Sequence, residues 1–257
     1  MFRAIRITIL LLILAFVATG AYLARVRSTD WDKPLWVAVH PISADASDAT
    51  RRYIDSLSED TFAPIGVFLA GQARHYGLQL AEPARLRLYS EIHAKPPQLD
   101  PGASMLSRAL WSLRLRYWSW RATSAETRPP PDIDIFVLYH DPQLTTSVPH
   151  SLGLQKGLLG VVYAFADPSM TASNNIVIAH EFLHTVGATD KYDPASGEPR
   201  YPDGYADPKR DPLLPQDEAE IMAGRRMLSA TQWEMPESLR QVVIGSLTAQ
   251  EINWSPQ

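Results

Sequence analysis

Three short runs dominate the pattern of this chain: 35–42 (LWVAVHPI), 133–139 (IDIFVLY) and 158–165 (LLGVVYAF) are almost unbroken in aliphatic and aromatic residues. Runs of that length and composition suit strands covered on both faces, as in parallel sheets with helices above and below. Segments with helical spacing separate them. One is 46–58, through Tyr53, Ile54 and Leu57; another is 62–76; the longest is 105–121, with Leu106, Leu110, Leu113 and Tyr117 on one face. Residues 84–92 (ARLRLYSEI) alternate as a further strand. Strands alternating with helices predict an α/β (α+β) fold built on a mixed, mostly parallel sheet. Helix 105–121 is expected to cover that sheet. Its Arg108, Trp111, Arg114, Arg116, Trp118, Trp120 and Arg121 also fit docking on anionic lipid.

The chain has 257 residues, of which 46% are hydrophobic and 20% charged, enough for one well-filled core. A formal net charge of -4 supplies no basic field for a phosphate backbone, so nucleic acid is not an expected partner. Without cysteine there is no disulfide framework, no thiolate metal ligand and no cysteine nucleophile. A metal site must use histidine and carboxylate.

At the N-terminus, Arg3 and Arg6 precede an apolar run from Ile7 to Leu23, and Arg25 and Arg27 follow it. About 17 residues lie between the length of a signal-peptide core and that of a spanning helix. Ala18, Thr19, Gly20 and Ala21 resemble a cleavage site, but Tyr22 and Leu23 continue the apolar stretch beyond them. Residues 1–29 are therefore expected to form an N-terminal transmembrane helix, an anchor or uncleaved signal sequence. The body would then face the periplasm or the cell exterior, or be secreted if the segment is cleaved.

Residues 188–220 form a long acidic loop rich in proline, from which no regular element is expected. Asp193, Glu198, Asp203 and Asp207 could bind a structural calcium ion within 190–207, close the cleft as a lid, or be solvated. Residues 236–254 resume helical spacing through Leu239, Val242, Val243, Leu247 and Ile252.

Directly before that loop stands His180-Glu181-Phe182-Leu183-His184. Ser173, Asn174 and Asn175 are candidate helix caps, and Ile176, Ala179, Leu183 and Val186 make a core-facing stripe, so the motif belongs on an amphipathic helix. Four residues advance about 6 Å and a little over one turn, which brings both imidazoles to one face. Glu181 borders that face. Two imidazoles can hold one ion while the carboxylate takes a proton from a water the metal activates. Gly187 follows His184 by three positions and Asp190 follows Gly187 by three, giving HExxHxxGxxD. Glycine can end the helix in the left-handed conformation and turn the chain back, so that Asp190 supplies the third ligand.

HEFLHTVGATD resembles the extended zinc signature of metzincin peptidases, in the variant with Asp as third ligand found in snapalysin-like and some immune-inhibitor-A-like enzymes. The resemblance implies a zincin catalytic domain over 30–257, one catalytic Zn2+, a polypeptide substrate and Glu181 as general base. It also implies a tight turn bearing methionine, the Met-turn, followed by a C-terminal helix. Met222 in Ile221-Met222-Ala223-Gly224 is placed there. An edge strand should run beside the cleft and pair with extended peptide, and 158–165 is the candidate. Gly224 stands where some metzincins carry a tyrosine that assists the zinc; Tyr192, Tyr201 and Tyr205 are available, and spacing does not choose among them.

Other arrangements stay open. Asp193 could replace Asp190 as third ligand, and Glu218 or Glu220 would serve in a gluzincin-like plan. His40, His75, His93, His140 and His150 have no partner at ligand spacing. The rival functions are a catalytically silent zinc-binding envelope protein acting through a partner, and a zinc amidase acting on cell-wall material. Substrate identity is not encoded in the motif.

Overall fold

Five strands make one sheet: β1 (Leu35–Ser43), β2 (Ala84–Leu88), β3 (Ile133–His140), β4 (Leu152–Leu154) and β5 (Leu159–Phe165). Their order across it is β2-β1-β3-β5-β4. The structure is a computed structural model describing residues 2–100, 102–155 and 158–255. β2, β1, β3 and β5 run parallel, and β4 is antiparallel to β5. The sheet is thus mixed and mostly parallel, as the alternation of apolar and helical segments predicts. β1 continues through Pro41 to Ser43 because β2 has already ended on that side. The Pro41 carbonyl accepts from Ile92 N at 3.0 Å there, and the missing N–H breaks no ladder bond.

Alternation along the strands builds two cores. Val37, Val39, Ile133, Ile135 and Val137 face a large cluster completed by α2 (Asp48–Ser56), α3 (Glu59–His75) and α5 (Thr171–Thr185). Ile42, Phe136, Leu138 and Val161 face the other way, onto α4 (Met105–Thr123). Helices therefore cover both faces, which is why the strands read as continuous apolar runs.

Several expectations change. Strand 158–165 is not an edge, since β4 pairs with β5 on its outer side; the edge strand is β4, whose three residues are too few to show a period. The stripe Leu106, Leu110, Leu113 and Tyr117 of α4 is exposed, and Leu115 and Ser119 on the opposite side are the residues buried against the sheet. The C-terminal segment is not one long helix. Val242–Val243 forms a strand, β7, which pairs with β6 (Ala219–Glu220), and only Ser246–Glu251 is helical, as α6. The helix of the motif begins at Thr171, so Ser173, Asn174 and Asn175 lie inside it and are not caps. Asn174 instead donates to the Phe165 carbonyl and Asn175 to the Thr61 carbonyl, pinning the helix to its neighbours.

The expected N-terminal helix is present, and the membrane span expected of it is not found. α1 (Phe2–Thr29) is one helix, but among the described residues no helix is long and apolar enough to cross a membrane. Arginines bracket its apolar run, and about 17 residues at about 1.5 Å each cover about 26 Å against a hydrocarbon core of about 30 Å. Its C-terminal end is tied to the body: Arg27 pairs with Asp132 at 2.6 Å, and Trp31 just beyond donates to the Ile252 carbonyl.

Candidate metal centre

α5 ends where its sequence says it should. Gly187 has φ +114, its N–H bonds the His184 carbonyl, and Ala188 N–H bonds the Leu183 carbonyl. This is the paired closure of a helix on a left-handed glycine. The chain then reverses, and Thr189, Asp190 and Lys191 pass back beside the helix.

His180 and His184 lie one turn apart with their Nε2 atoms 3.1 Å from each other. Nδ1 of His180 is 2.9 Å from the Ile221 carbonyl oxygen, and Nδ1 of His184 is 2.8 Å from that of Ala188. A carbonyl only accepts, so each Nδ1 carries the hydrogen and each neutral ring keeps its lone pair on Nε2. Asp190 Oδ1 closes a triangle, 3.3 Å from His180 Nε2 and 3.1 Å from His184 Nε2. That oxygen is buried and has no aligned hydrogen-bond partner. Three electron-pair donors this close repel unless a cation lies among them. Ligands of a tetrahedral ion bound at about 2.0–2.1 Å stand about 3.3 Å apart, so the spacing fits one metal ion. His180, His184 and Asp190 are a group that could hold a metal, and no second such group occurs among the described residues.

Charge within the triangle follows from the same contacts. Burial opposes a proton on His180, but the Asp190 carboxylate, with Glu181 nearby, outweighs it and raises the pKa to about 9. Burial likewise pushes Asp190 up, while the two imidazoles outweigh it and hold the carboxyl well below its usual range. In the metal-free protein a proton thus fills the space a metal would take, and metal binding must displace it. Glu181 is 4% exposed and its Oε2 has no hydrogen-bond partner. Burial raises its pKa, with the imidazoles acting in the opposite sense. An unpartnered buried carboxylate is costly, and here it borders the metal-binding group.

The turn beneath the site is built from Glu220 to Gly224. Ala223 N–H and Gly224 N–H bond the Glu220 carbonyl, Gly224 has φ +69, and the Ile221 carbonyl is the one that holds His180. Met222 is fully buried in the large core, and its carbonyl accepts from Lys191 N–H at 3.0 Å. Glu220 is fully buried too, accepting from Thr248 Oγ1, Ala223 N and Gly245 N. Its carboxylate braces the turn and is not a ligand. Asp193 accepts from Ala195 N and Ser196 N, capping a turn, and none of Asp193, Glu218 and Glu220 joins His180 and His184 in the group that could hold a metal. Asp207 likewise accepts from Lys209 N. The acids of 190–207 form no calcium cluster among the described residues.

Three features escaped the sequence. Of the three candidate tyrosines, Tyr192 is the one whose charge environment is the site: burial raises its pKa, and the Asp190 and Glu181 carboxylates add to the rise. Tyr201 and Tyr205 pack on each other in the loop. The second feature is a clamp around Asp190. Glu251 of α6 accepts from Thr189 N, from Thr189 Oγ1 and from Lys191 Nζ, the last at 2.6 Å, with Lys191 itself 4% exposed. Both chain neighbours of Asp190 are thereby fixed to one carboxylate. The third is Gly153 in β4, where a Cβ would lie 2.4 Å from the Glu181 carbonyl oxygen and 2.6 Å from His184 Cβ. Only glycine lets the edge strand press this closely on the motif. Its position in a three-residue strand gave no signal beforehand.

The chain matches no known protein-family description, and no curated protein matches it.

Proposed function

We propose that the chain is a zinc-dependent endopeptidase of the metzincin type, with His180, His184 and Asp190 as ligands and Glu181 as general base. The observation that carries this reading is the convergence of two Nδ1-anchored imidazoles and one carboxylate oxygen within 3.3 Å of one another, next to a buried carboxylate that has an unpartnered oxygen. Neutral imidazole and carboxylate ligands at this spacing suit zinc, and three protein ligands leave a fourth position for catalysis. When bound, zinc would supply Lewis acidity and bring the pKa of a water molecule near neutrality. Glu181 accepts a proton from the attacking water and returns it to the leaving amine, and its raised pKa makes it the stronger base. A substrate in extended form would pair with the open side of β4, which Gly153 seats against the motif helix. Met222 fills the role of the Met-turn residue beneath the ligands.

Tyr192 has a part in this scheme, because it lies within the field of the Asp190 and Glu181 carboxylates and its hydroxyl can donate to an oxygen that gains negative charge. Tyr192→Phe is expected to lower kcat by about 10²-fold, the scale of losing one oxyanion donor, with zinc stoichiometry unchanged. Steady-state kinetics beside metal analysis checks this; loss of metal with normal kcat in the loaded fraction would assign Tyr192 to holding Asp190 instead.

The reading is tested by metal analysis and cleavage of a mixed peptide library by the full chain. About one zinc per chain with cleavage that a chelator stops and zinc restores is the expected result. Zinc binding without cleavage would leave a binding module, and no zinc at all would end the proposal.

A further inference from the structure

α4 is apolar on two opposite sides. Toward the sheet it buries Leu115 and Ser119, with Trp111 and Trp118 half-buried beside them. On the far side Leu106, Leu110, Leu113, Tyr117 and Trp120 are 50% to 71% exposed. At about 100° per residue, Leu106, Leu113 and Tyr117 fall within about 20° of the line opposite Leu115, so they form one outward stripe. By the same count Arg114 and Arg121 border the stripe on one side and Arg116 on the other. α4 contains four arginines and no acid, in a chain whose net charge is -4.

We propose that this outward face of α4 lies in the headgroup boundary of an anionic lipid bilayer. Leucine side chains and aromatic rings would enter the acyl boundary while the guanidinium groups at its borders reach lipid phosphates. α1 supports the same occupant. Its Ile7, Leu10, Leu11, Leu12 and Leu14 are 49% to 65% exposed, so a second helix of this chain also leaves apolar surface uncovered. A second copy fits worse: two α4 faces brought together would crowd their arginines without one carboxylate from either helix to pair them.

The test uses the absence of cysteine, which lets a single Leu113→Cys carry a polarity-sensitive fluorophore in the full chain. Asp55→Cys on α2, across the sheet, is the control. With phosphatidylcholine vesicles containing phosphatidylglycerol, the label at 113 is expected to shift to the blue and be quenched by nitroxide lipid, while the label at 55 stays water-like. Arg114→Gln with Arg121→Gln is expected to weaken insertion of the 113 label about 25-fold, from about fivefold per arginine at an anionic surface. A label at 113 that stays in water on vesicles with and without phosphatidylglycerol overturns the proposal. So does one shielded without lipid in a particle of doubled mass, which would give the face to a second copy.

Discussion

Glu181→Ala is expected to keep the metal, leave KM nearly unchanged and lower kcat by about 10²–10⁴-fold, the contribution of a positioned general base. Glu181 is not one of the three converging ligands, so metal affinity should hold. Stability gives a second readout. The carboxylate is buried with one oxygen unpartnered, and burial raises its pKa, so the charged form is disfavoured in the folded chain. Because the folded pKa lies above the unfolded one, this group costs stability above the unfolded pKa, and its removal should not lower the melting temperature at neutral pH. Burial raises the pKa of Glu220 as well, and what sets that residue apart is its hydrogen bonding. Glu220 has three donors on its carboxylate, and Glu220→Ala strips a partner from each of them. Glu181→Ala enzyme that cleaves at the wild-type rate would remove the carboxylate from the mechanism and with it the peptidase reading.

Local periodicity explains what could be read in advance. His180 and His184 share a face because helix geometry acts over four residues, and Gly187 ends that helix because a left-handed turn needs no distant partner. The three long strands were legible for the same reason, since burial on both faces leaves an apolar run. Relations between distant segments were not. Nothing local to Glu251 marks it as the carboxylate that fixes Thr189 and Lys191, because that contact joins positions about sixty residues apart. The spacing of 105–121 showed that Leu106, Leu113 and Tyr117 share a face, but periodicity cannot say which face meets the sheet, and Leu115 does. In 236–254 the helical spacing was misleading: Val242 and Val243 are β-branched and find a partner strand in Ala219–Glu220, and tertiary pairing overrode the pattern.

The site is supported by a ring of contacts from segments far apart in the chain. Ile221, in the turn that Glu220 braces, holds His180; Ala188, just past the helix end, holds His184; Glu251 holds the residues on either side of Asp190. Each of the three side chains is thus oriented by a different element, which is the support a metal site would need for its geometry to exist before an ion arrives. The clamp on Asp190 is the most costly of these, since it buries an ammonium group, and its Thr189 and Glu251 partners offset that cost.

Asp190→Ala is expected to abolish stoichiometric metal binding at neutral pH. The loss should exceed the about 10–100-fold that removal of a supporting partner costs, because a ligand itself is gone. A second consequence follows from charge. With Asp190 in place the metal-free His180 holds its proton up to a pKa of about 9, and the carboxylate is the main contact favouring that proton over burial. The proton's contribution to the stability of the metal-free protein is therefore fully present below the unfolded pKa and is lost as pH rises through about 9. Asp190→Ala should erase that alkaline loss, so melting curves of the metal-free variant should flatten between neutral pH and about pH 9. Asp190→His restores an electron-pair donor and is expected to bind metal again, with one negative charge fewer at the ion and hence a more acidic bound water. The pH dependence of kcat/KM should then shift its acidic limb downward. Isothermal titration with zinc at several pH values distinguishes the cases: wild type and Asp190→His bind, and Asp190→Ala does not. Full zinc affinity in Asp190→Ala would mean that another residue closes the site and that the triangle of His180, His184 and Asp190 is not the ligand set.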